Sequence, residues 1–169
     1  MKTSPFSKIQ SSYLFPVFNA NNFQKLFAET ACLAVEIKQK ASYDAIAFTG
    51  MSGAAMAFPL SLSLGIPLIC VRKNDGNHHS SPSWRKSSPS WRKHDPSRYL
   101  EGCIDSNQYL IVDDFIDSGK TVNTICKKIF AYNPRAKCTG ILLYKSADSH
   151  SDFFHVKNFG SVPIWKISE

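Results

Sequence analysis

The sequence has no CxxC pair, and its five cysteines, Cys32, Cys70, Cys103, Cys126 and Cys138, are scattered singly. Zinc ribbons and dithiol redox chemistry therefore have no support. An odd count of lone thiols is expected to stay reduced, in a cytosolic setting. No apolar run reaches the ~18 residues of a membrane span. Met1 to Gln10 holds no apolar signal-peptide core, so the chain is expected to be mature, intracellular and cytoplasmic. Two phosphate-binding loops are also missing: neither GxxxxGK(S/T) nor GxGxxG occurs. His78, His79 and His94 lack the Cys or Asp spacing of a structural metal site.

What remains is a chain of 169 residues, 43% apolar, which suits one domain with a substantial core over 1–169. Acidic residues are scarce, 13 against 20 Lys and Arg, for a net charge of +7. Most of that excess is local. From Arg72 to Arg98 seven bases face two acids, Asp75 and Asp95, so this segment carries +5 and the rest only +2. A basic chain suggests nucleic acid first. A basic loop on a nearly neutral domain points more narrowly, to a polyphosphate substrate, with nucleic acid still open.

Periodicity orders the rest. An arm or short strand is expected around Tyr13 to Phe18. Phe23, Leu26, Phe27, Leu33, Ala34 and Ile37 recur at helical spacing, with Asn21 or Asn22 as a cap. Ala45 to Thr49 reads as a buried strand leading into Gly50-Met51-Ser52-Gly53. A small-residue helix follows from about Ala54 to Leu64, bent by Pro59 and stopped by Gly65. Ile66 to Val71 is the next strand. Residues 74–98, rich in Ser, Pro, Gly and His, form a long flexible loop. It contains a perfect duplication, Ser80-Ser-Pro-Ser-Trp-Arg-Lys86 and Ser87-Ser-Pro-Ser-Trp-Arg-Lys93, in which Pro82 and Pro89 forbid a continuous helix. A strand over Gln108 to Asp113 is expected, then a helix from Lys120 to Ala131 with Val122, Ile125, Cys126, Ile129 and Phe130 on one face. Further strands are expected at Thr139 to Tyr144, Phe153 to Val156 and Val162 to Ile167. The alternation makes an α/β sheet with its ligand crevice at the strand carboxyl ends.

The run Ile111-Val-Asp-Asp-Phe-Ile-Asp-Ser-Gly-Lys-Thr121 stands at such an end. Asp113 and Asp114 can accept from vicinal hydroxyls, directly or across a hydrated Mg²⁺. Asp117 to Thr121 offer successive amides at a helix start, with the Ser118 and Thr121 hydroxyls and the Lys120 charge, which favours a dianionic phosphate. Ordinary helix capping would account for Ser118 alone. It does not account for two acids after an apolar strand.

This run resembles the signature of the type I phosphoribosyltransferases, and its wording is closest to the hypoxanthine-guanine and xanthine branch. The resemblance covers about 45–167 and is strong over 109–145. It implies a type I phosphoribosyltransferase-like fold: a mostly parallel twisted sheet flanked by helices, a flexible loop and a small, reduced hood. It implies 5-phosphoribosyl-1-pyrophosphate (PRPP) as donor and Mg²⁺ as cofactor. Asp113 and Asp114 would face the ribose hydroxyls and the metal. Asp117, Ser118, Gly119, Lys120 and Thr121 would hold the 5′-phosphate, and Asp117 would also serve the purine N7 as acid or base. Thr49, Gly50, Met51, Ser52 and Gly53 match the pyrophosphate loop, often built on a non-proline cis peptide. Arg72-Lys73 resembles the orotate and adenine branches, where the pair neutralises departing pyrophosphate; a solvated strand end is the plainer alternative.

The 74–98 loop matches the place of a flap that excludes water, with Tyr99-Leu-Glu-Gly102 as its far anchor. In it Arg85, Lys86, Arg92 and Lys93 could touch pyrophosphate and Trp84 and Trp91 could stack, or the duplication has no catalytic role. Tyr132 to Lys145 resembles the hypoxanthine-guanine branch, whose lysine donates to the exocyclic O6. Lys145 at a strand end suits that task because it only donates. Asp152-Phe-Phe154 continues the resemblance. Trp165, then Ile164, are the candidates for stacking on the base. The chain stops at Glu169, so a truncated C-terminal extension is expected, with the N-terminal arm supplying part of the hood.

The resulting expectation is Mg²⁺-dependent transfer of 5-phosphoribosyl to a nucleobase, a 6-oxopurine by preference, by a homodimer in purine salvage. The alternatives are an orotate or other pyrimidine phosphoribosyltransferase, and a non-catalytic relative that senses a nucleotide or binds RNA.

Overall fold

The structure, a computed structural model, describes residues 20–72, 99–145 and 151–167. The arm at 13–18, Lys73 and the duplicated loop lie outside these residues. In chain order the elements are α1 (Ala20–Lys40), β1 (Ala45–Phe48), α2 (Gly50–Leu64), β2 (Leu68–Val71), β3 (Leu100–Gly102), β4 (Gln108–Asp113), α3 (Lys120–Tyr132), β5 (Lys137–Leu143), β6 (Phe153–Val156) and β7 (Gly160–Lys166).

Seven strands form one sheet in the order β3-β2-β1-β4-β5-β7-β6. The interior pairs are parallel, and only the two edges, β2 with β3 and β6 with β7, run antiparallel. This is the expected mostly parallel sheet flanked by helices. Because side chains alternate along a strand, each inner strand feeds two cores. Ala45, Ala47, Tyr109, Ile111, Ile141 and Leu143 pack towards α3, against Val122, Ile125, Cys126 and Ile129. Ile46, Phe48, Leu110, Val112 and Leu142 pack towards α1 and α2, against Ile37, Met56 and Leu60.

Chain order turns back between β1 and β4: the chain leaves β1 for β2 on one side and leaves β4 for β5 on the other. A crevice is expected outside the carboxyl ends of two such strands. Those ends are Thr49 and Asp113.

Three sequence-based expectations need correction, and one segment adds a strand that was not expected. The helix α1 already includes Ala20, so Asn21 and Asn22 are helical and do not cap it. The helix α2 begins at Gly50, four residues before Ala54, and runs through Pro59 to its stop at Gly65. Leu100–Gly102 is an edge strand. Phe130 is 43% exposed and packs edge-on against Phe159, so it lies at the rim of the α3 core.

Candidate functional site

Two helix starts and one strand end meet in a cavity of about 400 Å³, lined by Thr49, Ser52 and residues 113–122. Each wall follows from local chemistry. Thr49 occupies the cap position of α2, yet its hydroxyl donates to the Val71 carbonyl at 2.5 Å and caps nothing. Gly119 occupies the cap position of α3, and no side chain caps that helix either. The first amides of both helices thus lack the side-chain acceptor that usually satisfies them. Capping is therefore not what Asp117 and Ser118 do here: both are exposed and line the cavity. Two uncapped helix starts facing one cavity are suited to two anionic groups.

Glycine is needed at three points of the site, the first being Gly50, whose φ of 68° is left-handed where the chain enters α2. Gly119 has φ 69°, and a Cβ there would sit 2.1 Å from the Phe154 ring, so β6 presses directly on the turn. Gly53 lets α2 approach the strand ends, where a Cβ would meet Phe48 Cβ at 3.0 Å and the Val112 carbonyl at 3.1 Å.

Asp113 and Asp114 are both buried, 6% and 5% exposed. Asp113 Oδ1 accepts from the Ser52 hydroxyl and from the Asp114 amide, each at 3.0 Å. Burial, then the neighbouring Asp114 carboxyl, push the Asp113 pKa up to about 7. Two carboxylates in so little water call for a proton or a cation between them. They are hard oxygen donors, and Mg²⁺ is commonly held by one or two carboxylates plus ligand oxygens and water. No group of three or more His, Cys, Asp or Glu placed to hold a metal occurs among the described residues. The donor set fits a cation shared with a ligand rather than a fully caged one.

The other candidates are placed as follows. Gly50, Met51, Ser52 and Gly53 form the first turn of α2, and all peptide bonds among the described residues are trans. Lys120 and Thr121 open α3 and line the cavity. The Arg72 guanidinium pairs with Glu101 across the β2–β3 edge, and its carbonyl accepts from Lys128. Lys145 continues β5, its amide donating to the Asp114 carbonyl at 3.1 Å. Ile164 and Trp165 belong to opposite faces of β7: Ile164 lies in the α3 core, whereas Trp165 packs on the α1 side with Lys40 over its ring. Gly50, Met51, Gly53, Arg72, Lys145, Ile164 and Trp165 do not line the cavity.

One residue went unnoticed in the sequence. Tyr144, 1% exposed, donates through its hydroxyl to the Ser52 carbonyl at 2.8 Å. Burial and the two nearby carboxylates push its pKa up. It ties the end of β5 to the turn that also holds Asp113. Its only sequence signal is a polar atom at the end of an otherwise aliphatic strand.

Comparison with protein-family profiles returns no match, and comparison with curated protein sequences returns none either. Solved structures do match. An adenine phosphoribosyltransferase aligns with TM-score 0.59 at 19% identity, over 91% of this chain and 85% of that one. A phosphoribosyltransferase from Corynebacterium diphtheriae aligns with TM-score 0.58 at 16% identity, over 90% and 81%. An orotate phosphoribosyltransferase from Aeropyrum pernix gives 0.55 at 13% identity, over 88% and 72%. Together with the sheet order and the cavity at its switch point, these alignments show that the chain has the type I phosphoribosyltransferase fold.

Proposed function

We propose that the protein transfers 5-phosphoribosyl from PRPP to a nucleobase with release of pyrophosphate. The observation that carries this reading is the meeting of two uncapped helix starts and two buried carboxylates at one cavity. PRPP is a ligand with two anionic ends joined by a diol, and the cavity offers a partner for each part. The α3 start would take the 5′-phosphate on the amides after Gly119 and the hydroxyls of Ser118 and Thr121. The α2 start, Gly50 to Gly53, would take the pyrophosphate. Asp113 and Asp114 would accept from the ribose hydroxyls and hold Mg²⁺ in place of their proton. The cation would neutralise charge on departing pyrophosphate. Asp117, exposed beside the phosphate turn, would exchange the proton of the acceptor nitrogen. Arg72 and Lys73 would add positive charge at the leaving group once Arg72 is released from Glu101.

The acceptor we propose is a 6-oxopurine, as in purine salvage. Lys145 supports this, being a donor-only group at the carboxyl end of the strand beside Asp114. Arg72-Lys73 and the orotate enzyme among the structural neighbours support orotate as the second choice. The +5 segment from Arg72 to Arg98 favours an RNA-binding or nucleotide-sensing role as the non-catalytic competitor. That role would bring a steep salt dependence. We also propose a homodimer through α2, a helix without a charged residue. Met51, Phe58 and Leu62 line up on one face of it at 69%, 54% and 86% exposure.

One assay tests the central claim: PRPP and Mg²⁺ with hypoxanthine, guanine, xanthine, adenine, orotate and uracil in turn. Pyrophosphate release with hypoxanthine, guanine or xanthine is expected. Release with orotate alone would overturn the acceptor, and release with none would overturn the catalytic reading.

A further inference from the structure

Behind the phosphate turn lies a second cavity, of about 490 Å³, lined by Asn123, Lys127, Phe130, Lys157, Asn158 and Phe159. It shares no lining residue with the first. Its floor is aromatic. Phe130 and Phe159 meet edge to face, centroids 5.0 Å apart, and remain 43% and 38% exposed. Its rim is cationic. Lys127 and Lys157 are both exposed, and the ion pairs among the described residues lie elsewhere, at Lys25–Glu29 and Arg72–Glu101. The turn that carries Lys157 and Phe159 is held open by Asn158 at φ 70°, a left-handed conformation found at no other described non-glycine residue.

The chemistry defines an occupant. An exposed aromatic floor takes a flat ring, and two ammonium groups beside it take a phosphate. The volume falls in the range of small-molecule sites, about 300–1,000 Å³. A purely apolar ligand would leave the lysines unused, and inorganic phosphate would leave the rings unused.

The cavity is also joined to the first. Asn123 donates through Nδ2 to the Gly119 carbonyl at 3.0 Å, and its Oδ1 accepts from the Lys157 amide at 2.9 Å. Phe154, on the same β6–β7 hairpin, lies directly against Gly119. The hairpin therefore touches Gly119 directly through Phe154 and reaches its carbonyl through the side chain of Asn123 on α3, whose own amide also donates there at 3.0 Å.

We infer that this second cavity binds a nucleoside 5′-monophosphate and that its occupancy is felt at the phosphate turn through Asn123. The inference rests on the proposed reaction in one respect only: such a nucleotide is its product class.

The test is calorimetry of guanosine and uridine 5′-monophosphates binding to the full chain, with the first cavity saturated by PRPP and Mg²⁺. One nucleotide is expected to bind per chain under that saturation. The double variant Lys127→Glu, Lys157→Glu is expected to weaken it at least tenfold while PRPP affinity stays within twofold. Phe159→Leu should weaken the nucleotide and leave inorganic phosphate unaffected. In the wild type, nucleotide should change PRPP affinity about fivefold or more, with PRPP changing nucleotide affinity by the same factor. Asn123→Ala should abolish that coupling while both ligands still bind. No nucleotide binding under saturation, equal binding of inorganic phosphate, indifference to charge reversal, or tighter binding of an RNA oligonucleotide would each overturn the site. Coupling that survives in Asn123→Ala would overturn the route. Nucleotide binding here without pyrophosphate release from any base would refute the catalytic reading and leave the site intact.

Discussion

Replacing Asp113 by asparagine should make the protein more stable at alkaline pH, although it removes a residue of the proposed site. Asp113 is 6% exposed, next to a second buried carboxylate, and its pKa rises from 3.8 to about 7. The folded state therefore holds a proton that the unfolded chain releases near pH 4. Between those two values the native state binds more protons than the unfolded state, so stability falls as pH rises, by about 1.4 kcal/mol per unit. The contribution is whole below about pH 4 and spent above about pH 7. Asparagine copies the protonated form. Its Oδ1 can still accept from the Ser52 hydroxyl and the Asp114 amide, and it never ionises. From pH 5 to pH 8 the wild type should lose about 2–3 kcal/mol relative to the Asp113→Asn variant, with some of the full linkage relieved by water entering the cavity. Urea unfolding of both proteins in chelator, at half-unit steps from pH 5 to pH 9, measures this directly. Groups that titrate alike in both proteins cancel in the difference. A stability difference that stays flat with pH, or a variant that loses ground as pH rises, would refute the claim that Asp113 is held in a proton-requiring environment.

Four further outcomes follow from the same geometry. Adding Mg²⁺ at pH 8 should restore wild-type stability by about 1.4 kcal/mol at ten times its dissociation constant, and should do much less for Asp113→Asn; equal gains in both would remove the cation from this site. Asp117→Asn should lower turnover about 10²–10⁴-fold with PRPP affinity nearly unchanged, measured by steady-state kinetics beside direct binding, and unchanged turnover would exclude its proton role. Tyr144→Phe removes the hydroxyl that ties β5 to the Ser52 carbonyl of α2 and should cost about 0.5–1.5 kcal/mol in urea unfolding while weakening PRPP; a neutral effect on both would show that this tie is idle. Leu62→Glu, which sets a charge on the exposed face of α2, should turn a dimer into a monomer by light scattering, and an unchanged mass would move the interface elsewhere.

The parts of this protein that were legible in the sequence are those whose geometry is local. Gln108 to Asp113 is an apolar run that ends in acids, and α3 shows its buried face in the spacing of Val122, Ile125, Cys126 and Ile129; strand and helix both stand where they were expected. The β3 edge strand is only three residues long and has no pattern of its own. It exists because β2 offers an open edge, which no reading of Leu100–Gly102 alone reveals. The true start of α2 was hidden in a similar way. Thr49 looks like a residue leading into a glycine loop, but its hydroxyl is taken by the Val71 carbonyl on a neighbouring strand, and the helix begins at once. The register of β5 is shifted by an irregularity opposite Tyr109 and Leu110, where Cys138 and Gly140 are the partners and Thr139 is passed over. The strand runs from Lys137 to Leu143, starting two residues before and ending one residue before the predicted bounds.

The same contrast separates the proposed donor half of the site from the proposed acceptor half. The donor half sits on short connections that follow single strands, so residue order nearly dictates who meets whom: Thr49 and Ser52 after β1, and Asp113 to Thr121 after β4. The acceptor half depends on β5 and β7, which meet only through sheet pairing, Leu142 opposite Trp165 and Leu143 opposite Lys166. Adjacent residues on a strand face opposite ways, so Ile164 and Trp165 cannot both wall one pocket on one face of the sheet. Trp165 lies against Gly140, where a Cβ would meet its indole nitrogen at 3.0 Å, and that buried N–H has no hydrogen-bond partner among the described residues. A tryptophan so placed fills the space left by a glycine on the neighbouring strand and packs in the α1 and α2 core. On the proposed function, base selection would fall to Lys145, whose amide donates to the Asp114 carbonyl just past β5. Replacing Lys145 by alanine should therefore erase a preference for a carbonyl over an amino group in the acceptor, while Trp165→Phe should change stability more than choice of base.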